Sequence, residues 1–381
     1  MMRCIQIIAL FWLLMAFASC VSRSQTSCAA DGNTVNETTV MEMENENGIE
    51  AGLSGCFTAM YDGSLIVAGG CNFPENPFAP DSKKRFYKGI YRVDTAAADA
   101  SRFHRIGTLP RETAYGAAVA IPQGMVLIGG SNAEGSFSDV WLLGFDSIGN
   151  AEVSSLPSLP YASDNFAAVY IDGKVFMAGG NADGVPSCNL LSLDMNNPGE
   201  GWVSLAPFPG NPRTQPVLAA SSDAHGNMGL YLWGGFAGKS EEREATLNTD
   251  GYKFNMAMGK WFPLPAPLSP EGEEVSAGGG VAATLPDGRI VVAGGVNKDI
   301  FLGALSNQPS DYLSHPAEWY RFNDLILLFD PKTETWGISG KNRGAARAGA
   351  GMVATSDGAI IITGGELKPR IRTSEILKIM L

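Results

Sequence analysis

The chain has 381 residues, with 46 glycines, 22 prolines, a hydrophobic fraction of 45% and a formal net charge of −12. There is ample material for a core, and the acidity, with no basic face or tail in the sequence, argues against nucleic-acid binding. Any site for an anion has to be a local cluster of arginines working against a negative background.

The first segment reads as an export signal. Arg3 supplies a small positive start, and Ile5 to Phe17 is an apolar stretch too short to span a membrane comfortably. Phe17-Ala18-Ser19-Cys20 then places small residues just before a cysteine, as in a bacterial lipobox. Residues 1–19 are therefore expected to be a signal peptide and Cys20 the lipidated first residue of an exported cell-envelope protein. The lipid on Cys20 would be its only contact with a membrane. The polar residues 20–37 read as a flexible tether. Beyond the leader stand Cys28, Cys56, Cys71 and Cys188, without a CxxC pair, so no disulfide can be assigned.

Residues 38–381 read as one repeat domain. Six Gly-Gly doublets, from Gly69-Gly70 to Gly364-Gly365, each end a short apolar run such as LIVAGG or IIITGG. They recur roughly every 50 to 70 residues, the period of a kelch-type β-propeller. Residues 55–110 show one unit. GCFTAMYDG is a strand that turns at Asp62-Gly63, and SLIVAGG is a buried strand. GIYRVDT and FHRIGTLP follow as the third and fourth strands. Trp202, Trp261 and Trp336 lie in the fourth strands of three units and read as core between blades. The last unit stops one strand short, after SEILKIML. A closed propeller does not tolerate an open edge, so residues 38–43 (TTVMEM) are expected to supply the missing strand. The expected fold is all-β: a six-bladed kelch-type β-propeller, its ring shut by the N-terminal segment.

A four-stranded meander puts the loops after strands two and four on one face. That face collects Asn72, Asn132, Asn181, Asn297 and Glu366 after the doublets, together with the long insertions 71–88 and 296–322. It also collects Arg111, Tyr115, Arg213 and Arg347 ahead of the first strands. Functional residues concentrate on loops held by a rigid scaffold. Arg111, Arg213 and Arg347 from three blades are expected to converge as a bidentate clamp for a carboxylate. The alternative is that each pairs with a local acid. Glu366, followed closely by Lys368, Arg370 and Arg372, is a candidate acid/base group held near cations. The three histidines, His104, His225 and His315, are scattered, so no metal is expected.

GGVNKDIF at 294–301, FNDLILLFDPKTETW at 322–336, GGELKPRIRT at 364–373 and AGGCNFPENPFA at 68–79 resemble the bacterial sialic-acid mutarotases, the N-acetylneuraminate epimerases. In the better-known form, the GGVN and GGE segments precede the one matching residues 55–130, so this chain resembles a cyclically permuted branch. The resemblance implies a mutarotase that interconverts α- and β-N-acetylneuraminate, with Glu366 as proton acceptor and Arg372 as its partner. From their chemistry and place on the loops, Asn72 and Asn297 are expected to bond hydroxyls or the N-acetyl group, with Arg111, Arg213, Arg347 and Tyr115 as further substrate contacts. The resemblance implies a small sugar acid as partner and no metal or organic cofactor. Competing readings are a non-catalytic glycan- or protein-binding propeller, and a mutarotase for another sugar. A copper oxidase is disfavoured by the isolated histidines.

Overall fold

The computed structural model describes residues 25–28, 35–43, 46–95 and 102–381; the leader at 1–19 and Cys20 lie outside the described residues. The first repeat follows the sequence closely. Phe57–Tyr61 turns at Asp62-Gly63, with φ of 47° and 73°, into Ser64–Ala68. Two left-handed residues in a row are what a type I′ hairpin requires. Ser64–Ala68 is buried throughout and pairs with Gly89–Asp94, which pairs with Arg102–Thr108. All these pairings are antiparallel. Five more four- or five-stranded sheets follow, opened by Ala117–Ile121, Ala167–Ile171, Val217–Ser222, Gly280–Thr284 and Gly351–Ala354. The architecture is an all-β propeller.

The doublets sit on the seams between sheets. Gly69 and Gly70 have φ of 62° and 95°, and a Cβ on Gly69 would lie 2.3 Å from the Thr113 carbonyl oxygen. Only glycine tolerates both the backbone angle and the approach. The Gly70 amide donates to that same oxygen at 2.8 Å, tying the first sheet to the loop that opens the second. The last doublet makes the corresponding bond to the start of the chain, Gly365 N to Leu53 O at 2.7 Å.

One residue ahead of each first strand's approach takes part in a cycle of backbone hydrogen bonds. Tyr115 donates to Gly55 (2.7 Å), Asn165 to Tyr115 (2.7 Å) and Gln215 to Asn165 (2.6 Å). Gly279 donates to Gln215 (3.0 Å), Gly349 to Gly279 (2.9 Å), and Gly55 back to Gly349 (2.8 Å). All six residues are left-handed, with φ between 48° and 72°.

Apolar clusters fill the spaces between adjacent sheets. In one, Trp233 meets Phe329 at 4.7 Å and Trp336 at 4.9 Å between ring centres. The indole nitrogens of Trp202, Trp261 and Trp336 donate to the carbonyls of Pro157, Ala206 and Pro265, in the loops that lead out of a preceding sheet. Each of the three tryptophans thus lies between sheets, as their spacing predicts.

The N-terminal segment pairs where it is needed, in a shifted register. Val35–Val40 runs antiparallel to Glu375–Met380, with Asn36 opposite Ile379 and Val40 opposite Glu375. The strand begins inside the stretch read as tether, and Gln25–Cys28 pairs on its outer side. The expected strand 38–43 is split at Met41. Met41 is buried and donates its amide to Ser374 O at 2.7 Å; Glu42–Met43 then crosses to pair in parallel with Arg102–Thr108 of the first sheet. The segment therefore joins the last sheet to the first. Cys56, Cys71 and Cys188 are free thiols.

Candidate functional site

Glu366 is placed by backbone before its side chain does anything. It exchanges amide and carbonyl bonds with Ala348 (2.7 and 3.0 Å), the residue before Gly349 of the hydrogen-bonded cycle. Ser54–Cys71, Ala114–Ser131 and Thr214–Phe236 form the same bridge in other sheets. Asp164–Asn181 pairs in the same way in the third sheet. The residue just after a doublet is thereby held beside the hydrogen-bonded cycle, and among the described residues only the last sheet has a carboxylate at that position.

A tight hairpin, Glu366–Lys368 against Ile371–Arg372, folds Arg372 directly across from Glu366. The Arg372 guanidinium donates to Glu366 Oε1, and the Arg370 amide donates to the same oxygen at 2.7 Å. Among the described residues Oε2 takes no hydrogen bond. The carboxylate is therefore fixed through one oxygen and open at the other. Arg372 is buried, stacks on Phe73 at 5.4 Å, and its Nε has no partner among the described residues. Burial works to lower its basicity. The neighbouring Glu366 charge, with Tyr115 and Cys71, outweighs burial and holds the guanidinium above its ordinary value.

Glu366 opens onto a cavity of about 410 Å³, also lined by Lys84, Tyr115, Asn132, Asp164, Asn165 and Gln215. That is within the range of about 300–1,000 Å³ usual for small-molecule sites. A larger depression of about 850 Å³ lies around Glu274, Asn297 and Arg343. It does not include Glu366, and the smaller cavity, where Glu366 meets polar groups from several sheets, is the candidate site. Lys84 stands in its wall, with Nζ 3.0 Å from Tyr115 Oη and 4.8 Å from the ring centre. Cys71 Sγ donates to the same phenol oxygen at 3.1 Å. Gln215 and Asn165 bond each other at 2.7 Å, and Asp164 accepts from Ser136 and Asn181.

The two insertions meet over the Glu366 hairpin. Arg370 donates to Pro77 O at 2.9 Å, and Lys368 donates to His315 O at 2.6 Å while lying over Phe78 at 4.8 Å. His315 stacks on Trp319 at 3.8 Å. These contacts pack Phe73, Phe78 and Tyr320 from the two insertions against the cations of the Glu366 hairpin.

Several expected ligands are engaged elsewhere. Arg213 is fully buried and bound to both oxygens of Asp250 (2.7 and 3.2 Å) and to Gly234 O (3.1 Å). Arg347, also buried, binds Gly364 O (2.9 Å) and Glu375 (3.2 Å to Oε2). Burial pushes its guanidinium down to about 10, with Glu375 acting against the shift. Arg111 is exposed, 3.5 Å from Asp139 and stacked on Phe137. The three do not converge. Each pairs with the carboxylate that opens the third strand of its own sheet, and two of them also hold the first carbonyl of a doublet. Asn72 is buried, donating to Gly48 O and Gly52 O and accepting from Tyr87. Asn297 caps the helix Lys298–Asn307 through bonds from Asp299 and Ile300. Asn72 is therefore closed to a ligand, and Asn297 lines the larger depression and not the cavity beside Glu366. Tyr115, by contrast, lines the cavity with Glu366. Lys84, Asp164, Asn165 and Gln215 are the wall residues the sequence reading passed over. Aligning the residue one or two positions ahead of each first strand (Gly55, Tyr115, Asn165, Gln215, Gly279, Gly349) would have exposed three of the wall side chains.

A family model described as N-acetylneuraminate epimerase matches residues 156–381, more than half of the chain. The N-acetylneuraminate epimerase of Shigella sonnei (strain Ss046) is 31% identical over 242 residues, 60% of this chain and 61% of that protein. That of Brucella melitensis biotype 1 is 30% identical over 234 residues, 58% and 57% of the two chains. That of Escherichia coli (strain K12) is 30% identical over 244 residues, 60% and 61%. The chain thus spans about three-fifths of the length of these relatives. A solved structure titled "Structure of YjhT" superposes with a TM-score of 0.60 at 16% identity, covering 87% of this chain and 95% of that one. That likeness concerns the fold.

Proposed function

The chain belongs to the N-acetylneuraminate epimerase family, and from that premise we propose that it is a mutarotase acting on N-acetylneuraminate. The observation that carries the reading is Glu366, fixed by Arg372 and the Arg370 amide through one oxygen and open to a polar cavity through the other. Mutarotation needs a base for the anomeric hydroxyl proton and an acid for the ring oxygen. It breaks and remakes one carbon–oxygen bond, so a positioned carboxylate suffices for the first task, and such a base contributes about 10²–10⁴-fold. Arg372 keeps Glu366 oriented. With Arg111, Arg213 and Arg347 committed to their own sheets, Lys84 is the cation of the cavity wall suited to the sugar carboxylate.

Two structural readings go with this proposal. The six sheets are six blades of a closed ring, a reading supported by the hydrogen-bonded cycle that returns to Gly55 and by the Gly365–Leu53 bond. The chain is a cyclic permutation of its relatives; a permuted order accounts for a family match that starts at residue 156 while the fold likeness covers most of both chains. A ring tolerates permutation because its termini meet in neighbouring strands. We also place the mature protein in the cell envelope, anchored by lipid on Cys20, as mass spectrometry of the mature N-terminus would detect. Proton NMR of freshly released α-N-acetylneuraminate tests the activity: the protein should accelerate conversion to the β anomer. An unchanged rate removes the sialic-acid reading, and persistent ligand binding at that unchanged rate would favour a non-catalytic binding propeller.

A further inference from the structure

Resting on the mutarotase reading, we infer that Tyr115 is the acid of the reaction, giving its phenolic proton to the ring oxygen while Glu366 takes the anomeric one. Three observations carry this. The first is backbone. Tyr115 sits at φ 61° in the hydrogen-bonded cycle, where Gly55, Gly279 and Gly349 hold the equivalent positions. A non-glycine residue held in the left-handed region is strained where glycine is not. The cycle accepts that strain at Tyr115, Asn165 and Gln215, and all three line the cavity. Asn165 and Gln215 satisfy each other. Tyr115 alone of the three brings a titratable group.

The second observation is the place of the phenol. Its oxygen accepts from Lys84 Nζ at 3.0 Å and lies 3.1 Å from Cys71 Sγ, and Tyr115 lines the cavity that Glu366 lines. The ammonium holds the hydroxyl in one orientation at the cavity wall. The third observation is charge. The groups that face the phenol are Cys71, Lys84, Glu366 and Arg372. Burial, then Cys71 and Glu366, raise the phenol above its ordinary value against the pull of Arg372, so it enters the reaction protonated. Lys84 and Arg372 are the cations that would stabilise the phenolate formed in the step.

The step balances without any co-reactant. The anomeric hydroxyl proton passes to Glu366, the carbonyl forms, and the bond from the anomeric carbon to the ring oxygen breaks. The ring oxygen keeps that electron pair and takes the Tyr115 proton. The open keto form turns about the bond beside the carbonyl. The hydroxyl then attacks the other face, returning its proton to Tyr115 as Glu366 gives its proton to the new anomeric oxygen.

The test is the anomer-conversion rate of the full chain by NMR, across pH, for wild type, Tyr115→Phe, Tyr115→Gly and Lys84→Met. Tyr115→Phe should lower kcat about 10²–10³-fold, with KM within about threefold, and should abolish the alkaline limb of the profile. Tyr115→Gly should melt at a higher temperature than wild type, its backbone strain gone, and be as slow as the Phe variant. Should either Tyr115 variant fail to fold, Lys84→Met carries the test through a lowered kcat and a displaced alkaline limb. A Tyr115→Phe rate within twofold of an active wild type, or a loss confined to KM, overturns the inference and leaves the mutarotase reading standing. No acceleration by wild type overturns both.

Discussion

Two kinds of buried arginine occur in this molecule, and the contrast between them separates fold from chemistry. Arg213 and Arg347 each bind a carboxylate and the carbonyl of a doublet glycine within one sheet. Arg372 binds a carboxylate that borders a cavity. For Arg347 burial dominates and the guanidinium is depressed to about 10; for Arg372 the surrounding negative groups dominate and it is raised. The first kind closes a seam and leaves no free valence for a ligand. The second holds a carboxylate by one oxygen and leaves the other free to act.

The contrast can be broken at several points. The largest effect is expected from Arg372→Met, which releases Glu366 Oε1. Anomer-conversion rates should fall about 10²–10³-fold, comparable to losing one preorganised electrostatic contact. Next comes Arg213→Met. It strands Asp250 and Gly234 O, and breaking a buried pair costs about 3 kcal/mol, the low end of the usual range because Asp250 is partly exposed. Urea denaturation should register that loss, while the rate per folded molecule stays within about twofold. A rate loss as large as that of Arg372→Met would place Arg213 at the site after all.

A smaller effect is set by pH. Burial works to raise the Asp250 carboxyl, but the Arg213 hydrogen bond and charge, with the Tyr252 hydroxyl, outweigh it and hold the group below its usual value. A depressed folded-state value stabilises the fold fully above the unfolded value of about 3.9, and that contribution is lost as pH falls through the folded one. Stability measured from pH 5 downward should therefore decline less steeply in Asp250→Asn than in wild type. Arg111→Ala should do least. Its ion pair with Asp139 is exposed, and such pairs contribute about 0–1 kcal/mol, so both melting and rate should stay close to wild type.

The same contrast explains what could be read from the sequence. Doublets, Asp-Gly hairpins and the apolar second strands are local signals, and they led to the propeller. The GGELKPRIRT segment carries its own hairpin, so Glu366 and Arg372 are neighbours in chain and in space. The arginine clamp misled because each arginine's acid stands well apart from it in sequence: Asp139 for Arg111, Asp250 for Arg213 and Glu375 for Arg347. Asn72 looked like a loop ligand, yet it is buried as a brace for Gly48 and Gly52. Lys84 lies in an insertion without periodicity, and only the fold of residues 71–88 brings it to Tyr115.

The measurement that bears most directly on this account is the α-to-β conversion rate of N-acetylneuraminate with wild type and with Glu366→Gln, at equal folded concentration. Gln keeps the shape and removes the base. The account predicts acceleration by wild type and a loss of about 10²–10⁴-fold per folded molecule in the variant. Equal rates for the two proteins would contradict it.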